Sequence, residues 1–453
     1  MTAKKMQKRL FGTNGVRGVA GKDLTPELVF SIGKALGSMR KGRIAVGRDT
    51  RTSGETLIKS LKAGLLATGC DVSDCGILPT PALQYLVRDG YDGGAMITAS
   101  HNPPEYNGVK IIEPDGTEMG DEETLHLEEL IFGPPLPLIP WNRTGHETLV
   151  PHPVKRYIEG ILRHFPGNPG KGMTVVVDPG SGPACITTPE ILTGLGCRVI
   201  TVNGILDGTF PGRLPEPSEE GLKNLADLVR SSGASFGIAH DGDADRAVFV
   251  DENGQFVEEN AEFAIVVQDI CRQKKGIIVT PVSSGQVIEE AAHKEGSSIH
   301  YTPVGSIYVA RTMRALIEKG EPVIFGGEGN GGLIFPEHQY CRDAAMTMAK
   351  MLEIIAKNCR RRLYLPDQGY FLVHLLAGKQ GAQETLLEDG DTLYIPEKSS
   401  LVMVHGEVLF PNAIVYDTRS DVEDYIKQAG GYTQNADNSR LVVLHQDGSF
   451  GSD

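Results

Sequence analysis

Short apolar, β-branched runs alternate with helical stretches along most of this chain, and a glycine-bearing turn joins them each time. The pattern is clearest in "RIAVGRDTRTSG" (43–54), "MTVVVDPGSGPA" (173–184) and "GIIVTPVSSGQ" (276–286). Each reads as a strand, a turn and a helix start; helices are expected near 188–195 and in "VIEEAAHKEG" (287–296). Buried strands alternating with helices predict mostly parallel sheets covered on both faces. Three similar openings point to a duplicated α/β unit. Proline and glycine clusters mark the boundaries, with "FGPPLPLIP" (132–140) as a linker and a second break near Asp251–Gly254. The helical run 342–358 closes the third unit. The expected fold class is α/β, with three consecutive domains of mixed or parallel sheets over 1–150, 151–251 and 252–362. After about residue 360 the period changes to two, between Asp-Gly and Pro-Asn turns, which predicts a small β-rich domain over 363–453.

At 453 residues the chain is too long for one core. Its 58 acidic side chains outnumber 44 basic ones, for a net charge of −14, which argues against a nucleic-acid partner. A small anionic ligand remains compatible, because local cations matter more than the total. No apolar run has the length of a membrane span, and the first residues lack the apolar core of a signal peptide. The seven cysteines are scattered, without zinc-site spacing. Buried thiols in a reducing compartment are the natural reading, so a cytoplasmic location is expected.

Four stretches carry chemistry. In "GAMITASHNPPEYNGVK" (94–110) a strand ends on Thr98-Ala99-Ser100-His101, and the two prolines Pro103 and Pro104 stiffen the loop beyond. Ser100 reads either as a nucleophile or as a turn residue. In "GIAHDGDADRAVFVD" (237–251), Asp241, Asp243 and Asp245 alternate before an apolar strand. Carboxylates this close repel unless a cation joins them, and hard oxygen ligands suit Mg²⁺. A calcium EF-hand loop is the weaker rival, since Arg246 stands where that loop turns on glycine; a solvated acidic turn is the bland one. "FGGEGNGGLIFP" (325–336) offers Gly327, Glu328 and Asn330 on a glycine loop, suited to sugar hydroxyls or simply a tight hairpin-like turn. "FGTNGVRG" (11–18) and "GRDTRTSG" (47–54) put Arg17, Arg48 and Arg51 beside flexible backbone, where the guanidinium fork suits phosphate. A salt-bridged surface turn is the alternative for each.

Together and in this order, these stretches resemble the α-D-phosphohexomutases over roughly residues 8–360, the superfamily of phosphoglucomutase, phosphomannomutase and phosphoglucosamine mutase. "TASHNP" looks like the phosphoserine loop, "DGDADR" like the metal loop and "GEGNGG" like the sugar loop. The resemblance implies that Ser100 is phosphorylated and that Mg²⁺ is held by Ser100, Asp241, Asp243 and Asp245. It makes His101 and Lys110 general acid/base candidates, and gives Arg17 and Arg246 the transferring phosphoryl group. Gly327, Glu328 and Asn330 would bind the sugar. The implied reaction interconverts hexose 6- and 1-phosphates through a hexose bisphosphate that also serves as primer. Glucosamine 6-phosphate is the expected substrate, with mannose or glucose phosphates as the alternative. Capping of the loop by His101, a surface charge at Lys110 and neutralisation of the acidic loop by Arg246 remain open as bland readings.

The chain departs from the family after residue 360. The family's phosphate-gripping loop, resembling Arg-x-Ser-Gly-Thr-Glu-Pro, has no counterpart there; Arg419-Ser420-Asp421 is the nearest fragment. Residues 368–449 resemble instead the soluble β-grasp domains of polysaccharide-export proteins, which bind glycans or self-associate. Slow turnover is therefore expected, and a non-catalytic glycan-binding or scaffold protein is the competing function.

Overall fold

One four-strand arrangement recurs three times. The computed structural model describes residues 10–12 and 15–362, and beyond them only Lys427 and the short segments named below. The first sheet contains β1 (Val16–Val19), β2 (Arg43–Arg48), β3 (Asp71–Ile77), β4 (Gly93–Ile97), β5 (Tyr106–Ile112) and β6 (Glu147–Leu149), in the order β1-β5-β4-β2-β3-β6. The second contains β7 (Thr174–Asp178), β8 (Arg198–Thr201), β9 (Phe236–His240), β10 (Ala247–Val250) and β11 (Phe256–Val257), in the order β11-β10-β9-β7-β8. The third contains β12 (Ile277–Pro281), β13 (Ser298–Thr302), β14 (Val323–Glu328) and β15 (Gly332–Ile334), in the order β13-β12-β14-β15.

Within each sheet, the first strand of the unit pairs in parallel with the second and the third, and a fourth strand returns antiparallel beside the third. The expected duplication is thus a triplication, and the sheets are mixed. β4 and β9 are buried along their whole length, as strands covered on both faces must be. Helices cover the sheets: Pro26–Arg40, whose Val29, Ile32 and Leu36 share one core with Ile44 and Val46, opens on Thr25, whose side chain accepts from the Leu28 N–H, with proline at the first helical turn. Among the described residues six cysteines are unpaired thiols, five of them buried. No described helix is long and apolar enough to cross a membrane.

The repeat positions the chemistry. In each unit the connection from third to fourth strand carries one of the chemistry-bearing stretches. Between β4 and β5 lies the Ser100 loop, between β9 and β10 the aspartate triplet, and between β14 and β15 the glycine loop. The glycine loop is a hairpin turn, with Glu328 paired to Gly332.

Residues Tyr370–Asp453 form a separate unit. Leu401–Val404 pairs antiparallel with Asn412–Val415, and Val443–Leu444 with Phe450–Gly451. The β-grasp expectation for 363–453 otherwise lies outside the described residues.

Candidate active site

Ser100 sits just past β4 with φ of 49°, a left-handed conformation uncommon outside glycine. It is fully buried, and its Oγ donates to Asp241 Oδ2 at 2.8 Å. Arg51, whose sequence setting suggested a phosphate ligand, holds this loop instead. Its five N–H donors are spent on Asp49 Oδ2 (3.1 Å) and on the carbonyls of Ser100 (2.7 Å), Asn102 (2.6 Å), Pro103 (2.5 Å) and Tyr106 (3.0 Å). Asp49 also accepts from Thr98 Oγ1 (2.7 Å), which in turn accepts from the Ser100 N–H (2.9 Å). Local strain at Ser100 therefore persists because its surroundings over-determine it. Arg51→Ala removes these five hydrogen bonds and takes the guanidinium away from the buried Asp49 carboxylate. Chemical denaturation should show a loss of roughly 3–5 kcal/mol, the range for breaking a buried ion pair.

Asp241, Asp243 and Asp245 are all buried, and one oxygen from each lies within 4.8 Å of the others. Asp243 Oδ1 and Asp245 Oδ1 have no hydrogen-bond partner. Convergent hard oxygens with unsatisfied lone pairs fit a divalent cation. Gly242 is needed inside the triplet, because a Cβ there would come within 2.3 Å of the Ser100 carbonyl oxygen. The first unit also reaches across to the triplet, with Thr80 Oγ1 donating to Asp243 Oδ2 at 2.5 Å.

Lys110 projects from β5 and is almost fully buried, with Nζ 2.8 Å from Asp243 Oδ2 and 3.1 Å from Asp245 Oδ2. The surface-charge reading of Lys110 fails. Burial alone would lower its pKa, but Asp243 and Asp245 outweigh burial and raise it. Asp245 goes the other way: burial favours the neutral acid, yet Arg342, Lys110 and Arg246 hold it ionised below the usual carboxylate range. Burial, with Asp245 and Asp243 alongside, pushes Asp241 up to about 7. A proton and a cation then compete for Asp241. Below about pH 7 cation affinity should fall roughly tenfold per pH unit, and above it should level off. Calorimetric titration with Mg²⁺ across pH 5.5–8.5 (about three units) checks this sign.

The remaining sequence candidates lie around this centre. Arg246 Nε points to Asp241 Oδ2 at 3.3 Å, and its fork pairs with both oxygens of Glu216 at 3.1 and 3.2 Å. Arg17 Nη1 donates to Asn102 Oδ1 at 2.8 Å within the serine loop. His101 Nδ1 lies 3.5 Å from Ser100 Oγ and 3.7 Å from Glu216 Oε2. Burial, then the positive charge of Arg246, push its pKa down to about 4, so the imidazole is neutral at neutral pH. Glu328 ends β14 and pairs with Arg342, Asn330 Oδ1 is buried without a partner, and Gly327 has φ of 155°. The Ala247 N–H donates to the Gly331 carbonyl at 3.0 Å, which ties the glycine hairpin to the acidic loop. Glu216, Thr80 and Arg342 are site residues that no sequence motif marks. Each is brought in from a distant segment, and only the repeated topology could have pointed to them.

A phosphoryl-transfer enzyme of multidomain α/β class is what a buried serine beside three convergent carboxylates suggests, and comparison with known proteins agrees. Three consecutive descriptions of phosphoglucomutase/phosphomannomutase match: α/β/α domain I over residues 8–134, domain II over 155–254 and domain III over 258–364. A phosphoglucomutase/phosphomannomutase of Thermococcus kodakarensis is 45% identical over 370 residues, 80% of either chain. A phosphoglucosamine/phosphogalactosamine mutase of Sulfurisphaera tokodaii is 40% identical over 358 residues, 77% of either chain. The crystal structure of a phosphoglucomutase/phosphomannomutase family protein from Burkholderia thailandensis superposes with a TM-score of 0.67 at 27% identity, over 78% of this chain and 79% of that one. The chain belongs to the phosphoglucomutase/phosphomannomutase family and is an enzyme of the phosphohexomutase superfamily.

Proposed function

We propose that this chain interconverts a hexose 6-phosphate and the corresponding hexose 1-phosphate through a phosphoryl group carried on Ser100. The observation that carries this reading is the buried Ser100 Oγ, 2.8 Å from one carboxylate of a cation-fitting triad. Asp241, Asp243, Asp245 and Ser100 would hold Mg²⁺. When bound, that cation supplies positive charge against the phosphoryl oxygens.

The protein's own groups account for the rest. The Ser100 Oγ–P bond breaks as a sugar hydroxyl oxygen forms its bond to phosphorus. The neutral His101 accepts the hydroxyl proton, and the cationic Lys110 donates toward Ser100 Oγ. Arg17 and Arg246 lie beside the serine loop, where positioned cations offset charge on the transferring group. Gly327, Glu328 and Asn330 hold the sugar. The resulting bisphosphate turns over and returns its other phosphoryl group to Ser100.

Glucosamine 6-phosphate is the proposed substrate, in keeping with the Sulfurisphaera relative's amino-sugar name. Mannose and glucose phosphates form the second reading, which the name of the Thermococcus relative favours. Domain boundaries near 150, 251 and 362, and a C-terminal β-grasp module that binds glycans or self-associates, belong to the same proposal, as does a cytoplasmic location. A coupled assay with Mg²⁺, a hexose bisphosphate primer and each of the three 6-phosphates tests the reading. Net release of inorganic phosphate without isomerisation would overturn it.

A further inference from the structure

Arg342 joins two loops that lie far apart in the sequence. It stands two residues before the helix Ala344–Arg362. Its Nη2 donates to Asp245 Oδ2 at 2.6 Å, and its Nη1 donates to Glu328 Oε2 at 3.0 Å. One guanidinium thus spans a carboxylate of the acidic triad and the carboxylate of the glycine hairpin. The side chain is 6% exposed, so water screens neither pair effectively.

The surroundings are built to keep it there. The Arg342 stem crosses the hairpin at Gly332, where a Cβ would come within 2.3 Å of Arg342 Cδ. Backbone pairing of Ile334 with Arg342, and the Asp343 N–H donating to the Leu333 carbonyl at 3.0 Å, pin the main chain to β15. The neighbouring Asp343 is fixed harder still. It caps the helix through the Met346 N–H (2.9 Å) and accepts from Tyr157 Oη (2.6 Å) and Gln339 Nε2 (2.7 Å). Arg342 has little freedom to abandon either carboxylate.

Resting on the phosphohexomutase reading above, we propose that Arg342 is a positioning residue that couples cation binding at the acidic triad to sugar binding at Glu328. The coupling has a definite sign. Arg342 competes with a cation for Asp245, so its positive charge weakens cation binding. The same guanidinium orients Glu328, so it strengthens sugar binding. Removing it therefore moves the two affinities in opposite directions, whereas a residue with a merely structural role would lower both. Coupling of this kind is reciprocal, so changes at Glu328 must be felt by the cation.

The test uses the full-length, dephosphorylated chain and Mn²⁺ alone, titrated by electron paramagnetic resonance, with hexose phosphate kinetics in parallel. Arg342→Gln should bind Mn²⁺ about fivefold or more tightly, the size expected for removing one positive charge a few ångströms away. The KM for the hexose phosphate should rise by about tenfold, the loss of one charge-assisted hydrogen-bonded orientation. Arg342→Lys keeps the charge but not the fork, so Mn²⁺ affinity should stay near that of the parent while KM still rises. Glu328→Gln frees Arg342 for Asp245 and should weaken Mn²⁺ binding, an effect that shrinks in the Arg342→Gln background. Folded Arg342→Gln protein, judged by its thermal melt, with unchanged or weaker Mn²⁺ binding overturns the proposal. If Arg342→Gln does not fold, the Arg342→Lys and Glu328→Gln pair still decides it, since unchanged Mn²⁺ binding in Glu328→Gln overturns it equally. A parent chain inactive on every hexose phosphate would overturn the functional reading, and the Mn²⁺ titrations would still judge the bridge.

Discussion

Ser100→Ala should abolish isomerisation, with a loss on the order of 10⁶-fold in kcat, as when the nucleophile of a covalent mechanism is deleted. The protein should remain folded, because the substitution removes one hydroxyl and its hydrogen bond to Asp241. Four donors of Arg51 and the Thr98 hydroxyl grip the loop through its backbone, which alanine leaves in place. The positive φ at residue 100 adds some strain for any side chain, serine included. The diagnostic is therefore a protein with a near-parental melting curve, undiminished Mg²⁺-free stability and no turnover. Residual isomerisation above about 1% of the parent rate would mean that the phosphoryl group travels by a route other than Ser100.

The second large effect concerns the C-terminal part. The family's phosphate-gripping loop has no counterpart in residues 363–453. A mutase must hold the non-reacting phosphate while the other end reacts, and then hold the exchanged end. Losing two charge-assisted hydrogen bonds to that phosphate costs about 3–6 kcal/mol. That corresponds to roughly 10²–10⁴-fold in kcat/KM. A chimera in which a family member's phosphate-binding domain replaces residues 363–453 should regain most of this factor. Serine phosphorylation should be affected far less, since Ser100 and the three aspartates proposed to support it lie within the first three units. A chimera no faster than this chain would show that the grip comes from elsewhere in the molecule.

Much of the fold was legible because local sequence determines it. The β-branched runs "IAV", "TVVV" and "IIVT" became β2, β7 and β12, each opening one of the three units. Of the antiparallel fourth strands, β10 is legible as the apolar run after the aspartates, whereas β15 is only three residues long and is hard to tell from the glycine turn before it. At the site, the alternating aspartates raise the question of a cation through like-charge repulsion, and the structure brings their oxygens together. Their partners from other segments do not show: the cations Lys110 and Arg342 and the hydroxyl of Thr80 come from β5, the connection before the last helix, and another helix, and their proximity is a property of the topology. Arg51 illustrates the opposite failure. An arginine beside a glycine turn looks like a phosphate ligand, yet a side chain with all five donors spent inside the protein has none left to offer. The glycine stretch is the tight hairpin that its sequence allowed, and the turn presents Glu328 to Arg342.

The central claim is that Ser100 carries the phosphoryl group between the two ends of the sugar. Intact-mass spectrometry after incubation with a hexose 1,6-bisphosphate and Mg²⁺ tests it most directly. The account predicts one added phosphoryl group per chain, absent from Ser100→Ala and lost again when hexose 6-phosphate is supplied. A parent protein that gains no phosphoryl group, or that gains one equally in Ser100→Ala, contradicts it.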